Sequence, residues 1–220
     1  MINNKTKYRN MGLNSDYKKK HKPLYEGQSK YHQGYFVPQL HPEKCLTYSP
    51  TNNENIYRSG LEFNIFQIFD RCDNITRWAT ECLAVPYRVV NIDYCLKHKI
   101  PLTSPSALKN ANYNIDAWIE ITNGKETKKV FVEIKPYAQT LTPVPPPQDA
   151  KPAKFKQYNY ECKTYIVNQA KWKAAKQFVE ERGCEFIVIT ERYVKNQSRF
   201  FYELMDKLFN TPRNENIIVI

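Results

Sequence analysis

Tyr113-Asn114-Ile115-Asp116-Ala117-Trp118-Ile119-Glu120-Ile121 and, beyond Asn123-Gly124, Lys129-Val130-Phe131-Val132-Glu133-Ile134-Lys135 form the stretch that decides the fold. Both segments are rich in β-branched and aromatic residues, and Asn-Gly is the dipeptide that tight hairpin turns favour. The pattern predicts two antiparallel strands. Side chains two apart on a strand share a face, so Glu133 and Lys135 emerge together while Val132 and Ile134 turn away. A two-residue turn at Asn123-Gly124 sets Asp116 opposite Phe131, on the face of Glu133 and diagonal to it. Charged groups projecting from so apolar a strand are costly unless they are paired, hydrated or used. Two converging carboxylates offer the hard oxygens that Mg²⁺ prefers, and an adjacent lysine can orient a nucleophile or offset charge on a phosphate under attack. The plainer alternative is a surface Glu133–Lys135 ion pair beside a solvated Asp116.

Outward from that hairpin, Leu61, Ile65, Ile68 and Phe69 have helical spacing and predict a helix over about 59–70. Ser59-Gly60-Leu61-Glu62 fits a capping box, which gives Glu62 a structural role to set against an acidic site role. Ile75 to Val90 reads as strand, and residues 91–112 as an irregular insertion. A Pro-rich loop spans 137–152. A second amphipathic helix is expected over about 164–182, with Thr164 as cap, then a buried strand from Glu185 to Thr190 and a last helix over about 198–209. This order makes an α/β domain over 51–220, a mixed β-sheet flanked by helices.

Residues 1–50 differ in texture, with Lys18-Lys19-Lys20-His21-Lys22 among Tyr8, Tyr17, Tyr25, Tyr31 and Tyr35 and few aliphatic residues. They read as an extended basic N-terminal arm suited to phosphate contact by Lys18, Lys19 and Lys20, to docking on a protein shell, or to solvation alone. The whole chain of 220 residues carries a net charge of +11. Such an excess attracts polyanions, DNA first among them, although it also serves solubility. No apolar run is long enough to span a membrane and the start lacks a signal-peptide core, so a cytoplasm is the expected compartment. Six cysteines without a CxxC pair suit reduced thiols; Cys82, Cys95 and His98 give an incomplete match to a zinc site.

Taken in order, Arg58-Ser59-Gly60-Leu61-Glu62, Asp116, Val132-Glu133-Ile134-Lys135-Pro136, Lys171-Trp172-Lys173-Ala174-Ala175 and Gly183 to Thr190-Glu191 resemble the TnsA-like branch of the PD-(D/E)XK nucleases. Ahead of these, Gln33-Gly34-Tyr35-Phe36 and His41-Pro42-Glu43-Lys44 resemble the phage head completion proteins that share this nuclease fold. The resemblance covers roughly 33–191 and implies a restriction-endonuclease-like core. It also implies that Glu62, Asp116 and Glu133 hold Mg²⁺, with Mn²⁺ as a substitute, and that Lys135 serves the attacking water or the transition state. Arg58, Asn168 and Lys171 become DNA contacts. One departure is Ile115-Asp116-Ala117 where the family has Pro-Asp-Phe. The expected function is a metal-dependent DNA endonuclease of phage head completion or DNA processing, in the host cytoplasm or virion, touching head or neck proteins. The alternatives are an inactive structural protein of the head or neck and a DNA-binding module without chemistry.

Overall fold

The computed structural model describes residues 33–211 and 217–220, and the quoted stretch lies at the middle of a five-stranded sheet. In chain order the strands are β1 (Gly34–Tyr35), β2 (Ile56–Tyr57), β3 (Ile75–Val90), β4 (Leu108–Thr122), β5 (Thr127–Ile134), β6 (Glu185–Ile189) and β7 (Ile218–Val219). The helices are α1 (Gly60–Arg71), α2 (Ile92–His98), α3 (Pro152–Glu180) and α4 (Gln197–Met205). The main sheet has the order β3-β4-β5-β6-β7, antiparallel through β5 and parallel from β5 to β7, while β1 and β2 pair apart from it. Parallel neighbours require a long crossover, and α3 supplies the one between β5 and β6.

Period-two alternation builds both layers of the core. Ile119, Ile121, Val130, Val132, Ile187 and Ile189 face α1 and α4, meeting Ile65, Phe66, Phe69, Phe200 and Leu204. Trp118, Phe131, Phe186 and Val188 face α3, meeting Trp172, Ala175 and Val179. Each large apolar side chain so enclosed contributes about 1.5–3 kcal/mol relative to exposure. The mixed sheet flanked by helices is the expected α/β, restriction-endonuclease-like core.

Four expectations change in detail. The hairpin loop has four residues, not two: Thr122 pairs with Thr127, and Asn123 caps the loop by accepting the amides of Lys125 and Glu126. The register moves by two residues, so Trp118 rather than Asp116 opposes Phe131; a shift of two keeps every side chain on its face. The segment 91–112 is not an irregular insertion, because it holds α2 and the first residues of β4, which pair with β3 as far as Leu108. The second long helix begins at Pro152 rather than near 164, since proline is tolerated in a first helical turn, where its missing N–H costs nothing. Its polar first half has no apolar period to reveal it.

The boundary at residue 50 also moves. Gly34–Tyr35 pairs with Ile56–Tyr57, and a Cβ at Gly34 would come within 2.8 Å of the Tyr57 hydroxyl, which explains the glycine. Phe36 packs edge-on against Phe63, Phe66 and Trp78. The buried Asp70 carboxylate accepts the amides of Gln39, Leu40 and His41 at 2.8–2.9 Å. Residues 33–50 are therefore bound into the domain chiefly through aromatic and polar contacts, with Leu46 as an aliphatic contact to the α3-side core. Lys18, Lys19 and Lys20 lie outside the described residues. All six cysteines are free thiols, and no described helix is long and apolar enough to cross a membrane.

Candidate active site

β4 and β5 part company at Asp116. Their ladder ends at Ala117↔Val132, and the next amide, that of Ile134, is accepted at 2.8 Å by the Asp116 side chain instead of by backbone. On the other side of β4 the partner strand bulges at the same level. Thr80 pairs with Ala117 and Leu83 with Ile115, so Glu81 and Cys82 together oppose Asp116 alone. A bulge re-aims side chains and bends its strand, and here Glu81 takes the left-handed conformation with φ of 42°. Residues 113, 115 and 118 all reach the α3 face, so the alternation of β4 changes phase across Asp116. The result is an opening in the sheet lined by Asp116, Glu133 and Lys135.

Glu133 is fully enclosed, 1% exposed, yet both of its oxygens have partners. Lys135 Nζ lies 2.8 Å from Oε1, and the Tyr113 hydroxyl donates to Oε2 at 3.0 Å. The same ammonium lies 3.4 Å from Asp116 Oδ2 and donates to the Ile134 carbonyl oxygen at 3.2 Å. Three oxygens thus converge on one cationic point.

Glu62 enters from the start of α1. Its amide donates to Ser59 Oγ at 3.2 Å, and Ser59 Oγ donates back to Oε1 at 3.0 Å, while the Arg58 amide donates to Oε2 at 2.8 Å. The cap forms with one change from the expected box: Glu62 reaches the Arg58 amide, one residue before the Ser59 cap. The Arg58 guanidinium grips Glu81 at 2.6 and 3.1 Å, tying the bulge to the cap. Arg58, expected on DNA, therefore holds the bulge through Nε and Nη2.

Electrostatics bind these groups into one unit. Burial, then the nearby charge of Asp116, raises the Glu62 carboxyl to about 7 and does the same for Glu133, whose neighbours Lys135 and Tyr113 pull the other way. Burial alone would lower the Lys135 ammonium, but Asp116 and Glu133 reverse this and hold it above the ordinary lysine value. Burial likewise lowers Lys171. Crowded, desolvated carboxylates of this kind are stabilised by an added cation.

The donor set fits a hard divalent ion. Among the described residues no three His, Cys, Asp or Glu side chains gather into a cage, so neither the three-acid set nor Cys82, Cys95 and His98 forms one. Asp116 Oδ2, Glu133 Oε1 and the Ile134 carbonyl oxygen do surround one point, now held by an ammonium, and Mg²⁺ takes such oxygens while keeping several waters. Glu62 is close enough to Asp116 for each charge to act on the other, with both its oxygens on the helix cap.

On α3, Lys171 lies over the Tyr113 ring at 5.3 Å, within the field of Glu133 and Asp116. One turn earlier, Asn168 is buried and its Nδ2 makes no hydrogen bond. Sequence reasoning missed Tyr113 and Glu81. Strict alternation places Tyr113 opposite Trp118, and only the phase change at Asp116 brings it to Glu133.

Residues 72–191 match the family described as TnsA-like endonuclease N terminal. That span contains Asp116, Glu133, Lys135, Asn168 and Lys171 and begins after Glu62. The chain is also 31% identical over 150 residues to the head completion nuclease of Enterobacteria phage T4, an alignment covering 68% of this chain and 87% of that protein.

Proposed function

The chain belongs to the TnsA-like endonuclease family, and we propose that it is a Mg²⁺-dependent DNA endonuclease of the PD-(D/E)XK type that acts in phage head completion. The observation carrying this reading is the convergence of Asp116 Oδ2, Glu133 Oε1 and the Ile134 carbonyl on the Lys135 ammonium, in the opening between β4 and β5. Asp116 and Glu133 would hold the ion, and Glu62 would join them on leaving its cap. A bound Mg²⁺ or Mn²⁺ lowers the pKa of its water and offsets charge on a phosphate.

The chain's own groups do the rest. Lys135 keeps its proton and stands beside the carboxylates, so it can donate to the attacking water or to a phosphate oxygen. Tyr113 fixes the orientation of Glu133. Lys171 would meet DNA from α3, beside the buried Asn168, and the net charge of +11 supports a polyanionic substrate. The name of the T4 relative supports partners in the phage head and work in the host cytoplasm or on the virion.

The test is cleavage of supercoiled and linear DNA with Mg²⁺, Mn²⁺ or EDTA, by wild type, Glu133→Ala and Lys135→Ala. Expected is nicking that needs the metal and falls at least a hundredfold in both variants. A folded wild type that cuts nothing, and binds DNA as the variants do, returns the chain to the structural reading.

A further inference from the structure

The first half of α3 stands clear of the core. Its buried residues begin only at Asn168, so the sixteen residues 152–167, about 24 Å of helix, face the preceding Pro-rich loop and solvent, apart from a Lys163–Asp93 ion pair to α2. Between that loop and the helix lies an open groove of about 410 Å³, walled by Leu141, Val144, Tyr160 and Tyr165, with Gln139, Gln157 and Glu161 among its polar groups and Gln157 Nε2 donating to Glu161 Oε1 at 2.8 Å. Its walls are anchored. The Tyr137 amide donates to Glu191 at 2.7 Å, the Arg192 guanidinium stacks 4.4 Å from the Tyr137 ring, and Thr142 donates to the Tyr165 hydroxyl at 3.2 Å. Yet Tyr160 remains 65% exposed and Val144 80%.

The groove starts one residue beyond the acidic site. Pro136, on its wall, directly follows Lys135. Lys154, Gln157, Glu161, Thr164, Asn168 and Lys171 recur at alternating spacings of three and four, one continuous face of α3. From Thr164 in the groove to Lys171 beside Glu133 the helix rises about 10 Å, roughly three stacked nucleotides of one strand. Asn168, with its unpartnered amide nitrogen, lies between. Lys151, Lys154 and Lys156, at the start of α3, are exposed and form no ion pair among the described residues.

We propose that this groove receives an unpaired nucleobase from the strand flanking the scissile phosphate, so that the substrate class is duplex DNA with a single-stranded segment beside the cut. This rests on the nuclease reading above. The exposed Tyr160 ring offers a stacking face, Gln139 and Gln157 meet the polar edge of the base, and the three lysines meet its phosphates. Those free positive charges favour nucleic acid over an apolar or Pro-rich peptide.

The test uses the full chain in EDTA with a duplex bearing a single-stranded tail, 2-aminopurine being moved along the tail, and a blunt duplex as control. Expected is a fluorescence change at a single tail position and tighter binding of tailed than blunt DNA. Tyr160→Ala lowers that preference about tenfold, and Tyr160→Phe retains it. No 2-aminopurine response, or a tail preference unchanged in Tyr160→Ala, overturns the proposal; the second result leaves the groove to a protein partner. Because binding is read without metal, a positional response in a chain that never cleaves supports the groove while refuting the nuclease. Metal-dependent cleavage with no response does the reverse.

Discussion

Tyr113 is the residue whose role the fold reveals most sharply, because among the described residues its hydroxyl is the only neutral donor on the fully enclosed Glu133 carboxylate. Tyr113→Phe removes one hydrogen bond to a charged group and leaves the ring in place under Lys171. Such a bond is worth about 1.5–3 kcal/mol, so metal-dependent cleavage should fall about tenfold or more, with its acidic limb moved to higher pH; a pH–rate profile identical to wild type would show that Tyr113 does not orient Glu133. A second prediction follows from Glu62 and Glu133, both raised from 4.5 to about 7. Their ionisation is harder in the folded chain than in the unfolded one, so their contribution to stability is greatest below about pH 4.5, is lost as pH rises to about 7, and is flat beyond. In EDTA, the melting temperature of wild type should therefore drop relative to Glu62→Gln/Glu133→Gln between pH 5 and 8, by several degrees. Parallel curves would contradict it. Asp116, Glu133 and Lys135 were legible in the sequence because charged residues stand out in apolar strands. Tyr113 was not, since its reach depends on a phase change that alternation does not announce.

At the scale of elements, the bulge in β3 sets the opening. Glu81 sits at φ of 42°, where any side chain is strained, and compensates by holding Arg58 with both oxygens. Glu81→Ala keeps the strain and loses the ion pair, whereas Glu81→Gly loses the ion pair and relieves the strain. The glycine variant should be the more stable by about 1 kcal/mol in urea unfolding, and equal midpoints would mean that the bulge stores no strain. β3 was legible from Ile75 to Val90 through its β-branched residues, but nothing in Thr80-Glu81-Cys82-Leu83 signals an extra residue. The four-residue loop at Asn123 and the early start of α3 at Pro152 escaped for a related reason: Asn-Gly and proline each suit two local structures, and tertiary packing chooses between them.

For the whole molecule, the sheet brings a carboxylate from β4, a carboxylate from β5, the lysine that directly follows β5, and an acid from α1 to one opening that α3 borders with Lys171 and Asn168. The hairpin reading placed Asp116, Glu133 and Lys135 on one face, while Glu62, Asn168 and Lys171 were joined to them by the family resemblance. The domain's lower boundary was less legible, since residues 33–50 join through Phe36 and the Asp70 carboxylate rather than through an apolar run. On the proposed reading, a divalent cation takes the point where three oxygens now surround the Lys135 ammonium. Calorimetric titration of Mn²⁺ into wild type, Asp116→Asn and Glu133→Gln tests it most directly. Saturable binding to wild type, weakened at least tenfold in each variant, is the predicted result; variants that bind Mn²⁺ as tightly as wild type, or a wild type that binds none, would contradict it.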